Sequence, residues 1–161
     1  MTMTQTTRLG LSANIRAENA AILQAVLADA LDLRLATKHA HWTVKGPRFH
    51  QLHLLFDSFV PDLDAEIDTV AERIATLGVK PDGRGVTVAK DSRLATYPDD
   101  AVQGEDQLAA LADRFAALGN SVRTGIDQAA DANDADTSDI LTGLSRFLDK
   151  SLWMLESHLE H

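Results

Sequence analysis

FHQLHLLFDSFVPDLDAEIDTVAERIATL, residues 49–77, decides the fold. Its apolar positions Leu52, Phe56, Phe59, Leu63, Ile67, Val70, Ile74 and Leu77 keep steps of three and four residues, the period of one helical face. Beside that stripe runs a second one built from metal-binding side-chain types. His53 and Asp57 are four residues apart, as are Asp68 and Glu72, so each pair faces one way on a helix. Asp57 and Asp68 are eleven apart, which returns to within about 20° of the same face. Yet His53 and Glu72 are separated by nineteen residues, about 28 Å of helix axis. No ion spans that distance. The geometry closes only if a second copy of the helix runs antiparallel and brings its Asp68 and Glu72 to the first copy's His53 and Asp57.

The flanking sequence supplies three more helices. Ser12 or Asn14 can cap a first helix running to about Val44, with Ile15, Ile22, Val26 and Leu33 as its buried stripe and Leu23, Leu27 and Leu31 widening it. Gly46-Pro47 ends it and turns the chain into the second helix. Within that helix Pro61 removes the hydrogen bond to the Asp57 carbonyl and predicts a kink. Gly78 is the expected C-cap. Residues 79–100, rich in Gly, Pro and Asp, read as a crossover with room for one short helical piece, too long for a tight hairpin. A third helix is expected from about Ala101 to Ala130 and a fourth from about Asp136 to His158. The fold class is therefore all-α, a four-helix bundle of ferritin-like topology with its long crossover between helices two and three. The chain divides into a short polar N-terminal tail (1–11), one helical domain (12–158) and a C-terminal end (159–161) whose Leu159-Glu160-His161 resembles a tag remnant.

Composition narrows the chemistry. With no cysteine, neither disulfides nor thiolate ligation is available, and imidazole with carboxylate suits iron, manganese or zinc. The formal charge of −9 repels nucleic-acid phosphates and draws cations to any concave carboxylate surface. No apolar signal core or membrane-length run is present, so a cytoplasmic protein is expected.

Several residues have plainer readings. His39 and His50 fall off the ligand stripe and are expected at the exposed surface or an interface. Trp153, among Leu148, Leu152 and Leu155, reads as core. Arg73 reads as one half of a structural ion pair, with Asp149 the expected partner. In the cluster Asp131, Asp134, Asp136 and Asp139, capping and the helix dipole account for Asp136 and Asp139 without any further role.

The stretch Thr37-Lys38-His39-Ala40-His41-Trp42, followed by Gly46, Phe49, His53, Phe56-Asp57, Asp68 and Ala71-Glu72-Arg73, resembles the Dps family (DNA-binding proteins from starved cells), the mini-ferritins. Ser92 to Pro98 and Asp139-Ile140-Leu141 extend the resemblance, and the ligand spacing of twelve, four, eleven and four carries a suitable residue at every step. The resemblance implies a hollow shell of twelve subunits and a di-iron ferroxidase centre shared across each two-fold axis. There Fe(II) is oxidised, preferably by hydrogen peroxide, and Fe(III) is stored inside, protecting DNA. It implies His41, His53 and Asp57 as ligands from one subunit and Asp68 and Glu72 from its partner, with Trp42 as a neighbouring ring that quenches stray oxidant. It also implies an iron entry pore at a three-fold axis, for which Asp134 and Asp139 are the candidates. The Glu-x-x-His motif of ferritins with an intra-bundle centre is absent, in keeping with the interfacial version. Neutral histidine ligands predict weaker iron uptake at mildly acid pH. Family members that condense DNA do so through lysine-rich tails. Residues 1–20 hold Arg8 and Arg16 but no lysine, so weak or absent DNA binding is expected. Two alternatives remain at this stage: a nucleoid-condensing protein with little ferroxidase activity, and a cage whose interfacial site holds zinc.

Overall fold

The structure, a computed structural model, describes residues 6–159. Five helices form in order: α1 Ala13–Thr43, α2 Phe49–Thr76, α3 Gly85–Asp91, α4 Gly104–Asp131 and α5 Ala135–Glu156. The four long ones make an antiparallel bundle, and α3 is the short helical piece inside the crossover. Bonds joining Arg34 to Asp64 and His41 to His53 set α1 against α2 in opposite directions, and Arg73 to Thr137 does the same for α2 and α5. Among the described residues no helix is long and apolar enough to cross a membrane.

Each helix ends for a local reason. The Ser12 hydroxyl accepts the Ile15 amide at the start of α1. After α2 the chain turns through Gly78 at φ 84°, the left-handed region a side chain resists, and the Val79 amide reaches back to the Ile74 carbonyl. α2 runs unbroken past Pro61, which stands exposed. α4 begins at Gly104 rather than near Ala101, because the preceding segment is extended against the α1–α2 turn. The Lys45 amide donates to the Val102 carbonyl and the Gly104 amide to the Lys45 carbonyl. A Cβ on Gly104 would lie 2.6 Å from Leu52 Cδ1, so the close approach itself calls for glycine.

The core is filled by Leu23, Leu27 and Leu33 of α1, Leu52, Phe56, Leu63 and Ile74 of α2, Leu108, Leu111, Phe115 and Leu118 of α4, and Leu141, Leu144 and Leu148 of α5. At about 1.5–3 kcal/mol per fully buried side chain, this burial is the main force holding the bundle together. Ile15, Ile22 and Leu31 are only half-buried at its margin. Trp153 departs from expectation: it is 64% exposed. The buried stripe of α5 runs through Leu141, Leu144, Leu148, Ser151 and Leu155, and position 153 points away from it.

The crossover is pinned to α1 by part-buried polar contacts. Arg93 forks onto Asp29, which is 1% exposed, with Nε at 2.9 Å and Nη2 at 2.6 Å from one carboxylate oxygen. The Ser92 hydroxyl donates to Asp32, while Gln24 both donates to the Asp82 carbonyl and accepts the Asp82 amide.

Candidate metal centre

His41 lies in the last turn of α1 and His53 in the second turn of α2, and the tight turn between the helices brings them face to face. Their rings stack with centroids 3.8 Å apart and 20° between planes. Each ring bonds the other residue's backbone: His41 Nδ1 to the His53 carbonyl and His53 Nδ1 to the His41 carbonyl, both at 2.8 Å. A carbonyl only accepts, so each Nδ1 is the donor, and in the neutral form of such a ring the lone pair lies on Nε2. A backbone carbonyl holding the remote nitrogen is how metal-ligating histidines are oriented.

One turn further along α2, Asp57 turns the same way, with Oδ1 3.9 Å from His41 Nε2. That oxygen also accepts a 2.7 Å bond from Lys38 Nζ. The hydrogen bond from the Lys38 ammonium above all holds the Asp57 carboxyl below the usual carboxylate range. It is therefore an anion ready to take a cation.

Asp68 and Glu72 are exposed on the same outward stripe of α2, far along the axis from His53. Among the described residues of the single chain, no three His, Asp or Glu side chains converge closely enough to hold an ion. The His41, His53 and Asp57 group and the Asp68 and Glu72 pair thus lie apart in the single chain.

The other sequence candidates sort by burial. Trp42 is 69% exposed, with Lys38 Nζ 5.7 Å from its ring centroid. His39 and His50 are exposed, as expected, and His39 meets the sole tyrosine, Tyr97, edge-on at 5.4 Å. Asp139 is exposed on the rim of a surface pocket it shares with Asn133, Ser138 and Thr142. Asp134, expected with it at a pore, is instead 2% exposed and caps α5. Its carboxylate accepts a 2.6 Å bond from Arg73 Nη2 and takes the Thr137 amide and hydroxyl as well. Arg73 is therefore paired with Asp134 and, at 3.6 Å, Asp136; the Asp149 expected in its place bonds Arg123.

Two polar contributors escaped sequence reading. Lys38 stands three residues before His41, a spacing that puts it on the same face and could have marked it. Buried Gln107 links Tyr97, the Ala101 carbonyl and Thr43 at the end of α1, and no local pattern signals it. Tyr97 lies under the Arg114 guanidinium, 4.6 Å from its ring, and burial pushes its hydroxyl up to about 12.

Comparison with known proteins agrees with this fold. The family model for the ferritin-like domain matches residues 20–161. The chain is 41% identical over 157 residues to the DNA protection during starvation protein of Agrobacterium fabrum, covering 98% of this chain and 97% of that protein. Among solved structures it is similar to Mycobacterium smegmatis Dps, with a TM-score of 0.93 at 34% identity over 99% of this chain and 96% of that one. DpsC from Streptomyces coelicolor gives a TM-score of 0.94 at 28% identity, covering 99% and 93%. The Dps protein of Vibrio cholerae, described as one of the ferritin-like diiron-carboxylate proteins, gives 0.90 at 28% identity, covering 99% of each chain. With such identity over nearly its whole length, the chain belongs to the Dps family of ferritin-like proteins.

Proposed function

We propose that this protein is a ferroxidase and iron store whose centres form only between subunits. His41, His53 and Asp57 of one subunit and Asp68 and Glu72 of its two-fold partner hold two ferrous ions as substrate, in a shell of twelve chains. Each ferrous ion gives one electron to hydrogen peroxide. The O–O bond breaks, two protons are taken up, and two waters leave with two ferric ions. Because both electrons come from one centre, no hydroxyl radical need escape, and Trp42 stands by as a ring that intercepts any that does. Ferric product collects in the shell, and Asp139 lines the route by which ferrous ions enter.

The observation that carries this reading is the reciprocal bonding of His41 and His53. It spends both Nδ1 protons on carbonyls and leaves two Nε2 lone pairs beside an ionised Asp57. Imidazole and carboxylate together suit iron in both oxidation states. The face around the half-sites supports a subunit contact, since Leu35, Trp42 and Leu54 expose 56%, 69% and 52% of their surface there. Protection of DNA, the role in the relatives' name, follows here from removing iron and peroxide. A chain of net charge −9 does not hold DNA tightly by itself.

The test is oxidation of ferrous iron on adding peroxide, followed by co-elution of ferric iron with the shell. Asp68→Ala with Glu72→Ala should abolish rapid oxidation while light scattering still reports the assembled particle. Unchanged rates in that variant would remove this site from the reaction. Slow oxidation in the parent, with iron precipitating outside, would point to a cage holding zinc or serving only as structure.

A further inference from the structure

The flank of α2 that turns toward α5 carries charges that no ion pair uses. Asp62 and Glu66 of α2 and Arg146 and Lys150 of α5 line a groove of about 440 Å³, with Gly143 and Phe147 between them. Each pair is spaced four residues apart, so each wall presents two like charges in a row. The walls come near one another over Gly143, where a Cβ would stand 3.8 Å from Glu66 Oε2 and 4.0 Å from Arg146 Nη2. Yet among the described residues none of the four joins an ion pair or a side-chain hydrogen bond. Elsewhere the charges of neighbouring helices do close, Arg34 on Asp64 at 2.8 Å and Arg123 on Asp149 at 2.7 Å. Glu66 stands two residues before Asp68, about 160° round the helix, so this groove is no part of the ligand stripe.

A groove with one cationic and one anionic wall discriminates among small anions. The cations attract any oxyanion, and the carboxylates repel it unless it brings a proton of its own to donate. Sulfate brings none at neutral pH. Hydrogen phosphate keeps one P–OH beside oxygens that only accept. It therefore takes N–H bonds from Arg146 and Lys150 and donates to a carboxylate on the facing wall, every bond charge-assisted. A phosphate monoester sheds its last proton at about pH 6 and then behaves as sulfate does. A tetrahedral ion bonded to a donor on one side and an acceptor on the other spans about 5–8 Å between them, which the crossing over Gly143 allows.

We propose that the groove between α2 and α5 is a binding site for inorganic hydrogen phosphate, with Arg146 and Lys150 donating to its oxygens and Asp62 and Glu66 receiving its P–OH. The site stands apart from the interfacial centre and does not depend on that reading.

The test is a titration of the assembled, metal-stripped protein with inorganic phosphate at about pH 8, where a monoester is fully ionised, beside sulfate and methyl phosphate at matched ionic strength. Calorimetry should give one phosphate per chain with a Kd of about 1 mM or below. Sulfate and methyl phosphate should bind at least about tenfold more weakly. Arg146→Gln should weaken phosphate at least about tenfold. Asp62→Asn with Glu66→Gln should remove the repulsion and let sulfate bind as well as phosphate. Light scattering checks that each variant assembles; if Arg146→Gln does not, Lys150→Gln removes the neighbouring charge and carries the same expectation. Asp68→Ala with Glu72→Ala should bind phosphate as the parent does, whatever becomes of iron oxidation in it. Equal affinity of the parent for all three anions would mean a general cationic surface and would overturn the proposal. Parental binding in Arg146→Gln, or loss of phosphate in the Asp68 and Glu72 variant, would do the same.

Discussion

Replacing Asp134 with alanine separates a structural role for this carboxylate from a role at an iron entrance. Its side chain is 2% exposed and that of Arg73 is 9% exposed, with 2.6 Å between Oδ1 and Nη2. Thr137 completes a closed set: its hydroxyl accepts from Arg73 Nε at 3.0 Å and donates to Asp134 Oδ2 at 2.7 Å, while its amide donates to Oδ1. Removing one partner of a buried pair leaves the other charge without compensation, which costs about 3–5 kcal/mol. Loss of the α5 cap adds about 1 kcal/mol. Asp136, 3.6 Å from Arg73 Nη1 and 82% exposed, recovers part of the loss. The expected net destabilisation is about 4 kcal/mol.

Asp134→Asn keeps a cap acceptor but not the charge and should cost less, about 2–3 kcal/mol. The double variant Arg73→Met/Asp134→Asn should fall short of the sum of its single changes by about 2 kcal/mol, the signature of direct coupling. Urea unfolding followed by circular dichroism gives these numbers, at one fixed protein concentration because assembly is linked to stability. A loss below about 1 kcal/mol for Asp134→Ala would refute the reasoning. If iron uptake slowed instead, this carboxylate would be serving passing ions and not the bundle.

Two further outcomes follow from charge. Burial between α2 and α5 holds Glu66 above the usual glutamate range, Asp62 adds to this, and Arg146 opposes it. A carboxyl raised in the folded state lends stability at acid pH that is lost as pH rises through its raised value. Glu66→Gln should therefore be the more stable protein at neutral pH, by less than about 1 kcal/mol after solvent screening, and the advantage should vanish below the ordinary glutamate range. Thermal melts across that window check the sign; a variant less stable at neutral pH contradicts it. Gel-shift titration with duplex DNA at physiological salt should show no retained complex, and a tight complex would mean that the cations are segregated into a patch despite the net charge of −9.

Most of the bundle was legible because α2 advertises itself twice. The three- and four-residue steps from Leu52 to Leu77 give the buried face, and the ligand types from His53 to Glu72 give the exposed one. What was not legible depends on partners distant in sequence. Ala101 to Gln103 fit a helical pattern locally, yet Lys45 draws them into an extended bridge and delays α4 to Gly104. Asp134 and Asp149 are both reasonable mates for Arg73 by type. The choice turns on which end of α5 meets the end of α2, some 22 Å of axis apart, and periodicity within one helix carries no register between two. Trp153 was misplaced for a related reason, since its apolar neighbours Leu152 and Leu155 do not fix which side of α5 faces in.

The division of labour within α2 explains why the proposed centre costs the fold so little. Its core face, through Phe56, Leu63 and Ile74, is fully buried, while Asp57, Asp68 and Glu72 stand outside on the opposite stripe. Exposed carboxylates there pay little burial penalty, and Asp57 is paired with Lys38 as well. Near this stripe the chain buries the charge of Arg73, the residue after Glu72, locked to Asp134. That lock fixes the last turn of α2 against α5, and with it the position from which Glu72 is offered to a partner. His41 and His53 are fixed at the opposite end by their mutual backbone bonds. The backbone at both ends of α2 is thus fixed by contacts within one chain, and on the proposed reading the two groups meet only when a second bundle arrives in register. On the proposed reading, oxidation waits for assembly, and iron is gathered only where a shell exists to receive the product.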